Sequence, residues 1–305
     1  MIRSPFFYVG DKYKLMPQLR KYFPENFKNL IEPFVGGGSV FLNTEAKHYV
    51  GNDSNSYMIK LHNFLYSYKG KSEQFFKDFE NIIKKYNLSA SFLGDTVSQE
   101  LKNKHKKTYY AVYNKDAYLK IRDEFNNNKN DLMKLYVLLI YGFNHMLRFN
   151  GSGEFNLPVG NVDYNKNVSK ALHVYFNFID KHDVEFTNLD FREFLKNREY
   201  DIDDFVYLDP PYLISACEYN KGWDETCEID LLNAIDELNA KGVKFALSNV
   251  FVHKGQENDL LIEWSKKYNV INVKSNYISY HDNSIKETVE VLITNYSVGG
   301  KYERS

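Results

Sequence analysis

An apolar run that ends in two prolines, Phe205-Val206-Tyr207-Leu208-Asp209-Pro210-Pro211-Tyr212, is the most informative segment of this 305-residue chain. The continuous apolar stretch 205–208 is typical of a β-strand that is covered on both faces. Proline cannot continue a strand, so the chain must leave the sheet at Pro210 along a fixed, extended path. The segment therefore predicts that Asp209, the Pro210 carbonyl and the Tyr212 ring lie at the carboxyl edge of a sheet, where ligands of α/β proteins bind.

Six more runs of apolar and β-branched residues have the length of strands, and most lie near the two ends of the chain. Helical patterns separate them; in 230–241, for example, apolar residues form one stripe before Gly242. Strands that alternate with helices favour a mainly parallel sheet with helices on both faces. We therefore expect an α/β fold with seven strands, at 29–33, 48–52, 184–187, 205–208, 244–248, 270–275 and 288–294.

The middle of the chain, residues 57–180, has a different pattern. It holds 18 basic and 12 acidic side chains, a net charge of +6, whereas the remainder has a net charge of −7. An ordinary solvated surface is the alternative interpretation of this asymmetry. The pattern predicts a basic helical insertion in a catalytic sheet domain formed by 1–56 and 181–305, with a turn-rich piece at 150–155 that fits the tip of a β-hairpin. The helical segments are 58–68, 72–86, 109–126 and 131–145.

A strand followed by three glycines, Glu32-Pro33-Phe34-Val35-Gly36-Gly37-Gly38, lies near the amino end. Glycine lets the backbone approach a bound molecule because there is no Cβ to intrude. The segment matches neither the dinucleotide fingerprint GxGxxG nor a P-loop. It indicates a cofactor-binding turn, with a tight turn that holds no ligand as the alternative.

Asn52 and Asp53 stand at the end of the next strand. A carboxylate at this place, about 20 residues after a Gly-rich turn, can accept both hydroxyls of a ribose. An acidic helix N-cap is the alternative interpretation. The position relative to the glycines favours the ribose.

The polar groups that follow 205–208 suit the methylation of an exocyclic amine. The amino nitrogen of adenine is conjugated with its ring and is a poor nucleophile. Two acceptors, the Asp209 carboxylate and the Pro210 carbonyl, would bind its two hydrogens and favour a pyramidal nitrogen with a localised lone pair. The ring of Tyr212 would stack on a base that has left the duplex.

Together these motifs resemble the Dam-type DNA adenine N6-methyltransferases of bacteria and phages, with phage members the most similar. Phe7-Tyr8-Val9-Gly10-Asp11-Lys12 is similar to the N-terminal cofactor motif of that family, 32–42 to its Gly-rich motif and 209–212 to its catalytic tetrad. The resemblance implies the Rossmann-like methyltransferase fold and S-adenosyl-L-methionine as methyl donor. It implies Tyr8, Gly10, Lys12, Glu32, Phe34, Gly36, Gly38, Asp53, Asp190, Phe191 and Asp209 as cofactor-binding residues, and Asp209, Pro210, Pro211 and Tyr212 as catalytic residues.

The segments 142–150 and 154–160 are similar to the target-recognition hairpin of the same family. By that resemblance the partner is double-stranded DNA, and the side chains near it are Asn144, Arg148, Asn150 and Asn161. Relatives that read GATC usually carry an arginine where this chain has Asn161-Val162-Asp163. We therefore expect a target that differs from GATC or that tolerates substitution at one of its guanines.

Composition excludes several other classes of protein. The chain is 43% apolar and 26% charged, the balance of a folded globular protein. No apolar run reaches the ~20 residues that span a bilayer, and no secretory signal is recognisable, so a cytoplasmic, nucleoid-associated enzyme of a bacterial or phage-infected cell is expected. Cys217 and Cys227 are too few for a disulfide framework and the histidines lack ligand spacing, so no metal is expected.

Two other functions stay open: methylation of RNA or of a protein amide, and a cofactor-binding but inactive DNA-binding protein. The basic insertion argues against the first, and the intact 209–212 motif argues against the second. A cognate restriction endonuclease is a candidate partner, and a monomer or a weak dimer on DNA is expected. The lysine run at 102–107 is interpreted as a solvated loop rather than as a phosphate clamp.

Overall fold

One mixed sheet organises the chain. The computed structural model describes residues 1–95, 97–215, 222–274 and 288–298; Cys217, which was discussed above, lies outside them. Within them the strand order is β3-β2-β1-β4-β5-β8-β7, with β6 paired to β5. Neighbouring strands from β3 to β5 in this order are parallel, and β8 is antiparallel to both β5 and β7. The strands are β1 (Asn29–Glu32), β2 (His48–Asn52), β3 (Asp183–Thr187), β4 (Asp204–Leu208), β5 (Lys244–His253), β6 (Gln256–Glu257), β7 (Asn269–Val273) and β8 (Thr288–Thr294).

All seven predicted strands are confirmed, and so is the mainly parallel α/β class. The prediction for β5 was too short: the strand continues to His253 because its second half pairs with β8. The sequence also missed β6, whose two residues form a short antiparallel ribbon with the end of β5. A pair this short carries no periodicity to detect.

Ten α-helices occur in the described ranges, and in seven of them a side chain caps the first turn. Asn55, Asp131 and Asn165, for example, accept hydrogen bonds from backbone N–H groups that a helix start leaves without partners. None of the ten is long and apolar enough to cross a bilayer. The helices are α1 (Met16–Leu19), α2 (Ser56–Tyr66), α3 (Ser72–Lys85), α4 (Gln99–Lys104), α5 (Tyr109–Asn127), α6 (Leu132–Tyr141), α7 (Lys166–Ile179), α8 (Phe191–Lys196), α9 (Glu225–Ala240) and α10 (Asp259–Ser265).

The segment between β2 and β3 is helical, as predicted. The helices α2, α3, α5 and α6 match the four predicted segments, whereas α4 and α7 were missed. Helix α6 ends at Tyr141 rather than at 145, because Gly142 is extended, with φ −80° and ψ 156°. The next three residues form a separate short 3₁₀ turn, Phe143–His145.

Both faces of the sheet are covered, which explains the continuous apolar strands. On one face Tyr49 and Phe205 belong to a core that continues into the helices between β2 and β3. On the other face Val206 and Leu208 pack with α8 and α9. Successive residues of a strand point to opposite faces of the sheet. A strand that is covered on both faces therefore shows no alternation of apolar and polar residues.

The strand order places a crevice between β1 and β4. From β1 the chain proceeds to β2 on one side, whereas β4 lies on the other side of β1. This reversal is the topological switch point at which open α/β sheets bind ligands, at the carboxyl ends of the strands. The Gly-rich turn follows β1 and Asp209 follows β4, so the fold brings these two motifs to that crevice.

The predicted β-hairpin is a long loop with sparse antiparallel pairing. Isolated bridges join Gly142 to Val159 and Phe149 to Phe155. Gly160 N also donates to the Tyr141 carbonyl at 2.7 Å. We call residues 142–160 the recognition loop.

Candidate active site

Lys12 and Asp209 form a nearly buried ion pair at the carboxyl end of β4. Lys12 Nζ lies 2.7 Å from Asp209 Oδ1, with 7% of the lysine side chain and 19% of the aspartate side chain exposed. Burial raises the pKa of Asp209, and the Lys12 ammonium opposes that rise. The pair therefore offers a carboxylate acceptor in a largely dry site, where a hydrogen bond to a charged group is strong.

Tyr212 connects this ion pair to a second carboxylate. Its hydroxyl lies 3.4 Å from Asp209 Oδ1 and 3.4 Å from Glu290 Oε1, and Lys12 Nζ lies 5.2 Å from the centre of its ring. We call Lys12, Asp209, Tyr212 and Glu290 the carboxylate cluster. The segment 209–212 also contains Pro210, which is buried.

Glu290 was not identified as a site residue from the sequence. The residue is 2% exposed and lies within β8, between apolar neighbours. A charged residue is seldom fully buried unless it has partners. An acidic residue inside an otherwise apolar strand was therefore the available signal.

Gly36, Gly37 and Gly38 form a tight turn directly after β1. Gly36 and Gly38 have φ values of +46° and +77°, a backbone conformation that favours glycine. A Cβ at Gly37 would lie 2.9 Å from the Tyr8 Cβ, so the two segments can touch only without a side chain there. A Cβ at Gly36 would meet nothing within 4 Å, so that side of the turn faces open space.

The N-terminal segment lies against this turn. The fully buried Ser4 donates its hydroxyl hydrogen to the Gly37 carbonyl. Further along, Gly10 adopts φ +84° between Tyr8 and Lys12. The segment thus contacts the turn through Tyr8 and the end of β4 through Lys12.

Asp53 holds the turn from the side of β2. Its two carboxylate oxygens accept hydrogen bonds from Gly36 N at 2.9 Å and Asn55 N at 2.8 Å. Burial raises the pKa of Asp53 and these two backbone donors lower it. Helix α2 is capped by Asn55 rather than by Asp53.

Asn52 fixes the two loops on either side of Asp53. Its side-chain amide donates to the Pro33 and Leu189 carbonyls at 3.1 and 3.0 Å. Its side-chain oxygen accepts from Thr187 Oγ1 and Leu189 N, each at 2.9 Å. All hydrogen-bonding positions of this fully buried amide are therefore occupied, which fixes the loops relative to each other.

His62 supports the Gly-rich turn from α2, and the sequence analysis did not identify it. Its Nε2 lies 2.8 Å from the Gly36 carbonyl oxygen, so Nε2 carries the proton. The ring is fully buried and stacks on Phe186 at 4.4 Å. Burial lowers the pKa of His62 to about 4, and its Nδ1 has no hydrogen-bond partner among the described residues.

Glu32, the last residue of β1, lies beneath the crevice. Only 2% of it is exposed, and burial raises its pKa well above the ordinary value. The Phe41 backbone N–H opposes that rise, and the nearby Asp209 adds to it. Of the predicted cofactor-binding residues, Glu32 is therefore one of the least accessible.

Three aromatic rings meet beside the turn. The ring centre of Phe34 lies 5.5 Å from that of Phe191 and 5.8 Å from that of Trp223. Trp223 Nε1 donates to the buried Glu228 at 2.8 Å. Asp190 caps α8 and pairs with Arg192 at 3.2 Å. The sequence analysis placed Phe34, Phe191 and Asp190 at the cofactor but did not identify Trp223.

The recognition loop begins with a strained turn next to the N-terminal segment. Asn144 and His145 both have positive φ, +53° and +51°, and so does Phe7, at +51°. The rings of Phe7 and His145 are 5.3 Å apart. Phe143 is 51% exposed, and Asn144 beside it is exposed as well. These contacts connect the loop to the segment that carries Tyr8 and Lys12.

The other predicted DNA contacts have partners within the protein. Arg148 donates from Nε and from one terminal nitrogen to the side chain and the carbonyl of Asn156, at 2.9 and 2.8 Å. Asn150 Oδ1 accepts from two backbone N–H groups at the tip of the loop. Asn161 Oδ1 accepts from Tyr110 N at 2.9 Å, so it binds the first turn of α5.

The predicted residues thus fall into two groups. One group lies at or just after the carboxyl ends of β1 to β4, or in the N-terminal segment that contacts them: Tyr8, Gly10, Lys12, Glu32, Phe34, Gly36, Gly38, Asp53, Asp190, Phe191, Asp209, Pro210, Pro211 and Tyr212. The other group, Asn144, Arg148, Asn150 and Asn161, lies on or beside the recognition loop. Across the described ranges, no three or more His, Cys, Asp or Glu side chains are grouped as metal ligands.

Comparison with known proteins gives consistent matches. A family model for D12 class N6 adenine-specific DNA methyltransferases matches residues 8–278. The chain is 35% identical to the type II methyltransferase M.FokI of Planomicrobium okeanokoites and 37% identical to the modification methylase StsI of Streptococcus sanguinis, over 97% of this chain and 43% of each relative. It is 29% identical to the DNA adenine methylase of Escherichia coli K12, over 67% of this chain and 63% of that relative. The chain therefore spans less than half the length of the first two relatives.

Proposed function

The chain belongs to the D12 class of N6 adenine-specific DNA methyltransferases, and we propose that it is a site-specific DNA adenine methyltransferase. It transfers a methyl group from S-adenosylmethionine to N6 of an adenine that has flipped out of duplex DNA. The observation that carries this proposal is the position of the carboxylate cluster. Asp209 and Tyr212 lie at the switch point of the sheet, across the crevice from the Gly-rich turn.

The residues around the turn fit S-adenosylmethionine. Asp53 uses part of its acceptor capacity on Gly36 and Asn55, and its remaining lone pairs can accept the ribose hydroxyls. Phe34 and Phe191 offer ring surface to the adenine of the cofactor. The open space beside Gly36 leaves room for the bound molecule. When bound, S-adenosylmethionine supplies a methyl group on a positively charged sulfur.

Asp209 and Pro210 prepare the nucleophile. The Asp209 carboxylate and the Pro210 carbonyl accept the two amino hydrogens of the target adenine, which localises the nitrogen lone pair. Bound S-adenosylmethionine would supply the methyl group to this nitrogen, and the electrons of the broken carbon–sulfur bond would stay with its sulfur. The methylated nitrogen then loses one proton. Asp209 would accept this proton, because it is the charged one of the two acceptors and its raised pKa makes it a better base than an exposed aspartate.

Lys12 and Tyr212 position the two reactants. Lys12 holds Asp209 in place through the 2.7 Å ion pair. The Tyr212 ring is held by its hydroxyl and offers a face on which the flipped base can stack. Stacking excludes water and fixes the amino group in front of its two acceptors.

We propose that residues 57–180 recognise the DNA target. Their net charge of +6 suits a polyanionic partner. The recognition loop supports this assignment, because Phe143 and Asn144 are exposed and the adjacent His145 contacts Phe7 of the N-terminal segment. Asn144 and Arg148 carry amide and guanidinium groups suited to base edges. A monomer or a weak dimer would bind each site.

The test is methyl transfer from tritiated S-adenosylmethionine to duplex DNA and to RNA of the same sequence. We expect label in duplex DNA only, recovered as N6-methyladenine after digestion to nucleosides. Label in RNA or in protein would overturn the proposal. The proposal would also be overturned if the chain bound S-adenosylhomocysteine in calorimetry but transferred no label to duplex DNA.

Two finer assignments rest on this proposal. One relative is named a modification methylase, and we infer a restriction endonuclease of the same specificity as the functional partner. We place the enzyme with the nucleoid of a bacterial or phage-infected cell. Protection of methylated plasmid DNA against a panel of restriction endonucleases tests the first assignment, and cleavage of every methylated plasmid would contradict it.

A further inference from the structure

The lysine run that precedes α5 is the most basic segment of the chain. Between residues 97 and 115 there are five lysines and a single acidic residue, Glu100. We call residues 102–107 the basic segment. Its lysines are Lys102, Lys104, Lys106 and Lys107, of which the last three are exposed. The sequence alone favoured a solvated loop here, and the proposed function does not use these residues.

Tertiary contacts place the basic segment beside the base of the recognition loop. Asn161, which directly follows that loop, accepts hydrogen bonds through Oδ1 from Tyr110 N at 2.9 Å and Ala111 N at 3.3 Å. Tyr110 lies three residues after the basic segment, which adjoins the first turn of α5. Asp163, two residues after Asn161, accepts from Ser91 N at 2.7 Å. Hydrogen bonds therefore fix the residues that directly follow the recognition loop to the start of α5 and to Ser91. The contact with α5 joins Asn161 and Tyr110, which are 51 residues apart.

The charges of the basic segment are not neutralised within the described part of the protein. Six other lysines form ion pairs there, but no ion pair involves a lysine of the basic segment. Lys102 Nζ lies 5.9 Å from the centre of the Tyr109 ring, a contact that does not neutralise its charge. Exposed cations that lack acidic partners suit the phosphates of a nucleic acid.

We propose that the basic segment binds the phosphate backbone of duplex DNA beside the target site. This inference rests on the proposed function and extends it, since it adds a contact that is independent of base sequence. Lysine is a compact charge on a flexible stem, so it binds phosphate without reading a base edge. The segment raises affinity for all duplexes equally and orients the DNA under the recognition loop.

The test is the salt dependence of DNA binding by the full chain and by the triple variant Lys104→Gln/Lys106→Gln/Lys107→Gln. The two probes are a duplex of G·C pairs only, which holds no adenine, and a mixed-sequence duplex that contains a methylated site. Each phosphate contact adds about 0.9 to the slope of log K against log salt. We expect the slope to fall by about 2 to 3 on both probes, and turnover at saturating DNA to stay unchanged.

A matched control comes from the opposite, amino edge of the sheet. Lys47, Lys181 and Lys196 are also exposed; the first two precede β2 and β3, and the third ends α8. The variant Lys47→Gln/Lys181→Gln/Lys196→Gln makes the same change in net charge and should keep the wild-type slope. An equal fall in both variants, an unchanged slope in the first, or a loss confined to the mixed-sequence probe would overturn the inference. Failure of the wild-type chain to methylate DNA would instead count against the proposed function, because the binding assay does not depend on methylation.

Discussion

In the proposed mechanism Asp209 has two tasks, and its surroundings explain how one carboxylate could perform both. The side chain is held by Lys12 at 2.7 Å, and it lies in a site where burial raises its pKa. The first property fixes its position, and the second makes it a better proton acceptor. Neither is available to an exposed aspartate, which would be mobile and fully solvated.

Replacing Asp209 should abolish methyl transfer. In Asp209→Asn the shape is kept and the charge is lost, so we expect turnover to fall about 100-fold or more, the usual effect of removing one preorganised polar group. Tritium transfer under saturating cofactor measures it. Asp209→Ala would also leave the nearly buried Lys12 without its carboxylate, so thermal melting and S-adenosylhomocysteine binding serve as folding controls. A variant that keeps a tenth of wild-type turnover would contradict the assigned role.

Tyr212 should matter mainly through its ring. The hydroxyl contacts to Asp209 and Glu290 are both long, 3.4 Å, whereas stacking on a base contributes roughly 1–3 kcal/mol. We expect Tyr212→Phe to retain most of the turnover and Tyr212→Ala to lose about 10- to 100-fold. Single-turnover rates at saturating cofactor would separate the two variants. Loss of cofactor affinity without loss of turnover in Tyr212→Ala would assign the ring to the other ligand.

The Gly-rich turn depends on helix α2, although the cofactor does not need to contact that helix. His62 of α2 donates to the Gly36 carbonyl, and Asp53 accepts from the Gly36 N–H. The two peptide groups that flank the Gly36 Cα are therefore held from opposite sides. This arrangement keeps Gly36, which has a positive φ, in one conformation. Without it the turn would be free to move, because glycine has the greatest backbone freedom of all residue types.

His62 should therefore affect cofactor binding without contacting the cofactor. His62→Leu removes the donor to Gly36, and we expect S-adenosylhomocysteine to bind about 10-fold more weakly, which corresponds to one lost buried hydrogen bond. In His62→Gln the side-chain amide can replace Nε2 and should restore most of the affinity. Calorimetric titration of both variants provides the comparison. Equal weakening in both would indicate packing rather than the hydrogen bond.

His62 should also make stability depend on pH. Its pKa is near 6.5 in an unfolded chain and about 4 in the folded protein. Between these values the unfolded chain binds a proton that the folded protein lacks, so the free energy of unfolding falls as pH decreases through this range. The slope from one such group is at most about 1.4 kcal/mol per pH unit. Urea unfolding across this range should show the slope reduced in His62→Gln and unchanged in His48→Gln, which alters an exposed imidazole.

In the whole molecule, the excess of positive charge and the carboxylate cluster lie in different parts of the chain. The net charge is only −1, yet residues 57–180 carry +6. A single continuous core joins this part to one face of the sheet. The surface that we propose for DNA binding is therefore held at a fixed position relative to the carboxylate cluster, as the proposed flipping of a base into a single site would require.

The target sequence should differ from GATC or be relaxed at one guanine. A bidentate arginine discriminates guanine by roughly 1–3 kcal/mol, and Asn161 and Val162 cannot supply its two donors and charge. Asn161 Oδ1 is also engaged by the first turn of α5, and Arg148 already donates from Nε and one terminal nitrogen to Asn156. Expression in a host without DNA methylation, followed by modified-base sequencing, identifies the motif. Strict and complete methylation of GATC and of no other sequence would show this prediction wrong.

The parts of the fold that depend on local pattern could be predicted from the sequence. All seven main strands, the glycine turn and the 205–212 segment could be predicted because each rests on neighbouring residues: apolar runs, proline and glycine. Family resemblance then supplied expected roles for residues such as Lys12 and Asp53. Helices α4 and α7 and the two-residue β6 were missed, and α6 was predicted too long because the extended Gly142 was not recognised as its end.

The contacts between side chains that are distant in sequence follow from the tertiary structure. Tyr212 contacts Glu290 across 78 positions of sequence, and His62 reaches the Gly36 carbonyl across 26. The basic segment lies beside the recognition loop because Asn161 binds the start of α5. No local pattern encodes these contacts, because they follow from strand order and helix packing, which bring together residues that periodicity treats independently.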